Sequence, residues 1–233
     1  GEYTSRTECE QLQAFVAAGG NLMVFAGNAF WHKVETRAGG RQLYCAKTRY
    51  KEQPLGSDAD PATSFLCAID DLRQRTIGVY YTACVHAKSD VPGEFVAPTT
   101  GEYGFFRATD PDHWAFANTG LLQGDEFGRA DSIVGVECDG GDIEFVAGQP
   151  RFTGRDGISP HYKIIALADA VDHGLNKALS VHHDRYYCTI AVNESEYEGT
   201  VFTAATIEWA HGLYRDDSPV SQITRNVLNR LGV

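Results

Sequence analysis

"TSRTECEQLQAFVAAGGNLMVFAGN", residues 4–28, is the stretch that sets the expected fold class. Ser5 followed three residues later by Glu8 is a capping box, in which two side chains satisfy each other's free backbone amides. Cys9, Leu12, Phe15 and Val16 then recur at helical spacing. Gly19-Gly20 stops the helix, because glycine enters the left-handed conformation at little cost. "NLMVFAGN" follows as a short apolar strand closed by Gly27-Asn28. A helix feeding a buried strand predicts an α/β domain with a mostly parallel sheet. Such a domain usually opens on a strand, whereas here a helix comes first. The sequence is therefore expected to be the C-terminal part, or a processed subunit, of a larger polypeptide. It is expected to associate with another chain or with its own upstream region.

Working outward, "HYKIIALADAV" (161–171) reads as a buried strand or short helix, and "DRYYCTIAV" (184–192) and "GTVFTAATIEW" (199–209) as strands. At the end, Ser218 caps a helix, Pro219 suits its first position, and Val220, Ile223, Val227, Leu228 and Leu231 form its apolar stripe. The middle third is polar and rich in glycine. It offers a strand around Leu43 and Cys45, another at about 76–85, one at 132–138, and its neighbour "DIEFVAG". No repeat or linker divides the 233 residues, so a single domain over 1–233 with long insertions is expected.

The net charge of −11, from 20 basic and 31 acidic residues, argues against nucleic acid or an anionic membrane surface as partner. No apolar run approaches the roughly 18 to 20 residues of a membrane span. Cysteines stand at 9, 45, 67, 84, 138 and 188 without C-x-x-C or zinc-finger spacing. Several lie in apolar runs such as "SFLCAI", so reduced, buried thiols and a cytoplasmic location are expected.

One charge stands out. In "DSIVGVECDGGD" (131–142), Glu137 interrupts an apolar run, and a carboxylate is costly to bury without a partner. Strand alternation puts it on one face with Ile133, Gly135 and Asp139, just before a glycine turn. A ligand or catalytic role competes there with a plain salt bridge. His182-His183-Asp184 and Asp112-His113-Trp114 suggest acid–base chemistry, yet each also fits a turn. Tyr3 lies before the first helix, whose partial positive charge favours a phenolate, and Tyr44 lies in a strand candidate. No G-x-S-x-G, Walker A, G-x-G-x-x-G before a helix, or H-E-x-x-H occurs.

Several blocks, in order, resemble the C-terminal region of the N,N-dimethylformamidase large-subunit family. They are "EYTS", "AAGGNLMVFAGNAFW" (17–31), "DHWAF" with "GLLQGDEFG", "IVGVECDGG", and "GTVFTAATIEWAHGL" leading to "ITRNVLNRLG". The resemblance implies a flavodoxin-like sandwich of the class I glutamine amidotransferase type, without its cysteine nucleophile. It implies hydrolysis of a small amide by a mononuclear ferric iron held by two tyrosines and a glutamate. Matched motif to motif, the ligands are Tyr3 and Glu137. Tyr44 is the second tyrosine by position, with Tyr50 as a fallback. Three anionic oxygen donors leave room for water and a small-molecule amide substrate on the metal. His113 or Asp139 would serve as the base, although the family pattern assigns neither. Two other readings stay open: a non-catalytic domain for assembly or ligand binding, and a metal-free hydrolase using His and Asp.

Overall fold

The computed structural model of the chain describes residues 1–45, 71–80, 87–88, 95–96, 104–135, 137–170 and 186–232. Tyr50, Cys67, Cys84 and the His182-His183-Asp184 cluster lie outside these residues. The capping box forms as expected. Ser5 Oγ accepts from the Glu8 amide at 3.2 Å, and the Glu8 carboxylate accepts from the Ser5 amide at 2.6 Å. That amide holds the Glu8 carboxyl below its ordinary range. Helix α1 (Arg6–Ala17) follows β1 (Tyr3–Thr4) and feeds β2 (Leu22–Phe25).

Three small pairings interrupt the chain after β2. Strand β3 (His32–Lys33) runs parallel to β1. Strand β4 (Glu35–Arg37) forms a hairpin with β5 (Gln42–Tyr44). After helix α2 (Leu72–Ile77), strands β6 (Ala87–Lys88) and β7 (Phe95–Val96) pair with each other. The remaining strands are β8 (Phe106–Ala108), β9 (Glu126–Phe127), β10 (Ile143–Val146), β11 (Gln149–Phe152), β12 (Lys163–Ala170), β13 (Tyr186–Asn193) and β14 (Val201–Ala204). Helix α3 (Pro219–Leu231) closes the described chain, with the Ser218 cap and Pro219 placed as expected.

The central sheet has the order β2-β14-β13-β12-β8-β9, and only β2 and β14 run parallel. This mixed, mostly antiparallel sheet overturns the expected flavodoxin-like or class I glutamine amidotransferase-like sandwich with its mostly parallel sheet. The reason is physical. A continuous apolar run reports a strand buried on both faces and carries no information about direction. Burial on both faces is what the molecule has. Phe202, Ile190, Ala166 and Val24 pack on one side with Trp209 and the stripe of α3. Val201, Ala191 and Ile164 pack on the other with Val16 of α1, Phe152 and Tyr162. Cys9, Cys138 and Cys188 are buried. Among the described residues, no helix is long and apolar enough to cross a membrane.

The described residues of 132–138 form no strand, a second correction. Arg129–Asp131 make a 3-10 turn and Ser132 turns left-handed at φ 48°. The buried run then satisfies its backbone piecemeal. The Val134 amide donates to Gly104, and the Ile133 carbonyl accepts from the Thr206 hydroxyl. The Glu137 carbonyl accepts from the Ile207 amide, and the Asp139 amide donates to Ala205. The expected neighbour "DIEFVAG" is β10, which pairs with β11 instead. The strand expected from residue 76 is corrected at its start, since 72–77 are helical and Gly78 ends them at φ 69°.

Ser5→Ala removes one half of the capping box. It is expected to lower stability by about 1 kcal/mol. The check is the urea midpoint at constant slope; an unchanged midpoint would mean the box contributes nothing.

Candidate functional site

The carboxyl ends of the parallel pair β2 and β14 lie side by side, with Phe25 opposite Ala204. Gly27 and Asn28 leave one, and Thr206 leaves the other. Beyond Ile190 and Ala204 one bond still joins the two strands, from the Ala205 amide to the Thr189 carbonyl, and residues 138–140 enter beside it as a wedge. The Thr189 amide donates to the Asp139 carbonyl at 3.1 Å, while the Asp139 amide donates to Ala205 at 2.8 Å. Cys138 bridges Thr206, and Gly140 bridges Tyr80. Gly27 is required here, because a Cβ on it would collide with the Glu137 carbonyl oxygen. Segment 27–28 therefore lies directly against Glu137.

Glu137 is half-buried at this end of the sheet. Burial raises its pKa, and the nearby carboxylates of Glu2, Glu208 and Asp139 raise it further. The Asn28 side chain, by hydrogen-bonding it, pulls the other way. Glu208 reaches this end because Thr206 caps a 3-10 helix, Ile207–Tyr214, and its carboxylate lies over Gly135, where any Cβ would meet it. Glu2 arrives through the β1–β3 pairing. The Phe30 amide donates to Gly1, and the His32 amide to Glu2. Glu2 also reaches buried His32 at 3.2 Å. Tyr3 stacks on the His32 ring at 5.0 Å and is 45% exposed.

Asp139 is fully buried beside Arg73, whose guanidinium lies 2.9 Å away and is itself fully buried. Burial pushes the Asp139 carboxyl up to about 6, against the pull of Arg73 and the Asn28 backbone amide. Arg73 also donates to the carbonyls of Ala29, at 2.5 Å, and Val79, at 3.3 Å. It thus ties the segment after β2, the end of α2 and the wedge together. The sequence reading missed Arg73, Asn28, Glu2 and Glu208. Only the Gly27-Asn28 strand end carried a signal for any of them.

The expected residues stand on different elements. Tyr3, Glu137 and Asp139 belong to this end of the sheet. Tyr44 stands on the β4–β5 hairpin, its ring under the Arg37 guanidinium at 3.4 Å. His113 lies at the opposite end, beside Glu194, which follows β13 where Asn193 pairs with Val201. There Nδ1 of His113 accepts from the Ala115 amide at 3.2 Å and caps a 3-10 turn, Trp114–Phe116. That leaves the ring proton on Nε2, 3.4 Å from Glu194. Asn226 of α3 docks on the same turn through the Ala115 and Ala117 carbonyls. His113 thus caps this turn through Nδ1, and Asp139 is paired with Arg73. Among the described residues, no group of three or more His, Cys, Asp and Glu side chains is placed to hold a metal ion.

Two measurements test these assignments. Arg73→Met leaves Asp139 buried without its countercharge and is expected to cost about 3–5 kcal/mol, whereas Arg73→Met with Asp139→Leu recovers most of that. Equal losses in the single and double variants would refute the buried pair. For His113, burial lowers the pKa, Lys163 adds to this, and Glu194 and Asp110 oppose it; Glu194 also faces Arg230 at 3.8 Å. A histidine depressed in the native state contributes stability that is complete above its ordinary value of about 6.5 and is lost as pH falls through the native value. His113→Asn keeps an acceptor at the cap but cannot titrate. Between about pH 7.5 and about pH 5 it should lose less stability than the unsubstituted chain. Parallel curves would exclude His113 as a contributor.

Comparison with known proteins completes the picture. The model of the family described as N,N-dimethylformamidase beta subunit-like, C-terminal, matches residues 1–222. A search of the curated proteins finds no match. With nearly the whole chain matched, this protein belongs to the N,N-dimethylformamidase beta subunit-like C-terminal family.

Proposed function

We propose that the chain is the catalytic domain of an amidohydrolase that cleaves the C–N bond of a small amide, with a mononuclear ferric iron. The observation that carries this reading is the half-buried Glu137 among the carboxylates of Glu2, Glu208 and Asp139. Such a set repels itself, and a cation relieves the repulsion. Clusters of His, Cys, Asp and Glu suited to a metal are absent from the described residues, so a metal here depends on phenolate donors. Tyr3, the residue after Glu2 and the first of β1, fits as one. Tyr44 is the proposed second, and Glu137 the carboxylate. Hard, anionic oxygen donors of this kind suit a ferric ion. When bound, the ion supplies Lewis acidity toward the amide carbonyl and lowers the pKa of a water.

The chain's own residues have separate tasks in this reading. Asn28 and the wedge orient Glu137. The Tyr3 ring is braced on His32 and partly open to solvent. Glu208, whose carboxylate lies over Gly135 and near Glu137, would serve as the base that takes a proton from water. A second reading, a non-catalytic domain for assembly or ligand binding, is favoured by one observation. The two bases expected from the sequence, His113 and Asp139, are both committed to structural contacts.

The test is expression in iron-rich medium, followed by elemental analysis, a visible spectrum and assay against a panel of small amides. A coloured protein with about one iron per chain and a tyrosinate-to-iron band is expected. Tyr3→Phe and Glu137→Gln should each abolish the band. Colourless, metal-free protein would leave the non-catalytic reading in possession.

A further inference from the structure

We propose that His113 is a pH switch for the seating of helix α3. When its ring takes up a proton, the cap on the Trp114–Phe116 turn is withdrawn, and the contacts between that turn and α3 loosen.

The switch follows from which ring nitrogen does what. Nδ1 accepts from the Ala115 amide at 3.2 Å, so the neutral ring carries its hydrogen on Nε2. An added proton therefore goes to Nδ1. The imidazolium has donors alone, and its new N–H meets the N–H of Ala115. The cap does not survive that step. On the other side of the ring, Nε2 is buried and makes no hydrogen bond in the neutral state, with the Glu194 carboxylate 3.4 Å away. A charged ring released from Ala115 gains a charge-assisted hydrogen bond by turning toward Glu194.

Both partners of the ring also hold α3. The Ala115 and Ala117 carbonyls of the capped turn accept from the Asn226 carboxamide at 2.9 and 2.7 Å. Glu194 accepts from Trp114 Nε1 at 2.7 Å and faces Arg230 of α3 at 3.8 Å, while the Arg230 guanidinium stands 4.9 Å over the Trp114 ring. The imidazolium thus competes with Arg230 for one carboxylate while it uncaps the turn that Asn226 grips. Other charged groups here set where the switch operates. Glu194 after β13 and Asp110 after β8 favour the imidazolium. Lys163 of β12, paired with Asp110 at 2.6 Å, disfavours it. His161, before β12, meets Ser195, the residue after Glu194, at 3.2 Å. Burial, the largest influence, keeps the His113 ring neutral to below the ordinary histidine value of about 6.5.

The experiment is hydrogen exchange on the full chain at intervals from about pH 7.5 to about pH 5, expressed as protection factors so that the pH dependence of the exchange chemistry cancels. Protection over 114–119 and 219–231 is expected to fall about tenfold in acid, while protection over β12 and β13 holds. His113→Asn keeps a cap acceptor but takes up no proton, so the fall should vanish. His161→Asn removes the neighbouring histidine and should retain it. Glu194→Gln keeps an acceptor for Trp114 but removes a charge that favours the imidazolium, so its midpoint should move to lower pH. That variant carries the test where His113→Asn loses stability. No fall in the unsubstituted chain overturns the inference. So does an equal fall in His113→Asn, an equal fall over β12 and β13, or an unmoved midpoint in Glu194→Gln.

Discussion

The fully buried contact between Arg73 and Asp139 is the constraint on which the rest of this architecture depends. A charge in a protein interior must be paired and hydrogen-bonded, or it is expelled or neutralised. Here the guanidinium spends its donors on one carboxylate and two carbonyls, from three distant parts of the chain. None of these segments is regular structure at the point of contact. Without the ion pair, the loop after β2, the end of α2 and the wedge at 138–140 would share only isolated backbone bonds. The pair makes them one rigid corner, and Glu137 is mounted on it.

That corner sits where the sheet changes character. Over Ile190–Asn193, β13 pairs with β14 in an ordinary antiparallel ladder. At the carboxyl end of β14, Asp139 takes both a donor from β13 and an acceptor beyond β14. An irregular segment can be buried this deeply only because every one of these groups finds a partner. The arrangement gathers carboxylates from near the start, middle and end of the chain. Such gathering is costly electrostatically, and fold stability alone does not account for it. A site does.

Much of the fold was legible in the sequence. The capping box at Ser5 and Glu8, the α3 stripe and the burial of β12, β13 and β14 follow from local chemistry and apolar patterning. Strand direction was not, because an apolar run looks the same whichever way its neighbour runs. The run at 132–138 misled for a related reason: burial was read as a strand, whereas the backbone bonds there go to scattered partners. Of the site, Glu137 was visible as a charge out of place. Asn28 and Arg73 were not, since their roles depend on contacts across 109 and 66 positions in sequence, and no local pattern encodes such contacts. His113 drew attention because histidine beside aspartate is a familiar acid–base pairing; its cap on the 3-10 turn through Nδ1 carried no separate signal.

The parallel edge of the sheet also shapes how the chain acquires its structure. Strand β2 has β14 as its sheet neighbour, and Asn21 beside it bonds to Thr200 and to Leu231, separations of 179 and 210 residues. Closing loops of that length is entropically demanding, and contacts so distant in sequence slow folding. The antiparallel strands β12 and β13 can meet across a much shorter span. Their pairing would come first, with the helix and strand at the beginning of the chain docking last. The carboxylate corner would then be assembled in the final step, so that a chain caught before it would have most of its core and no site.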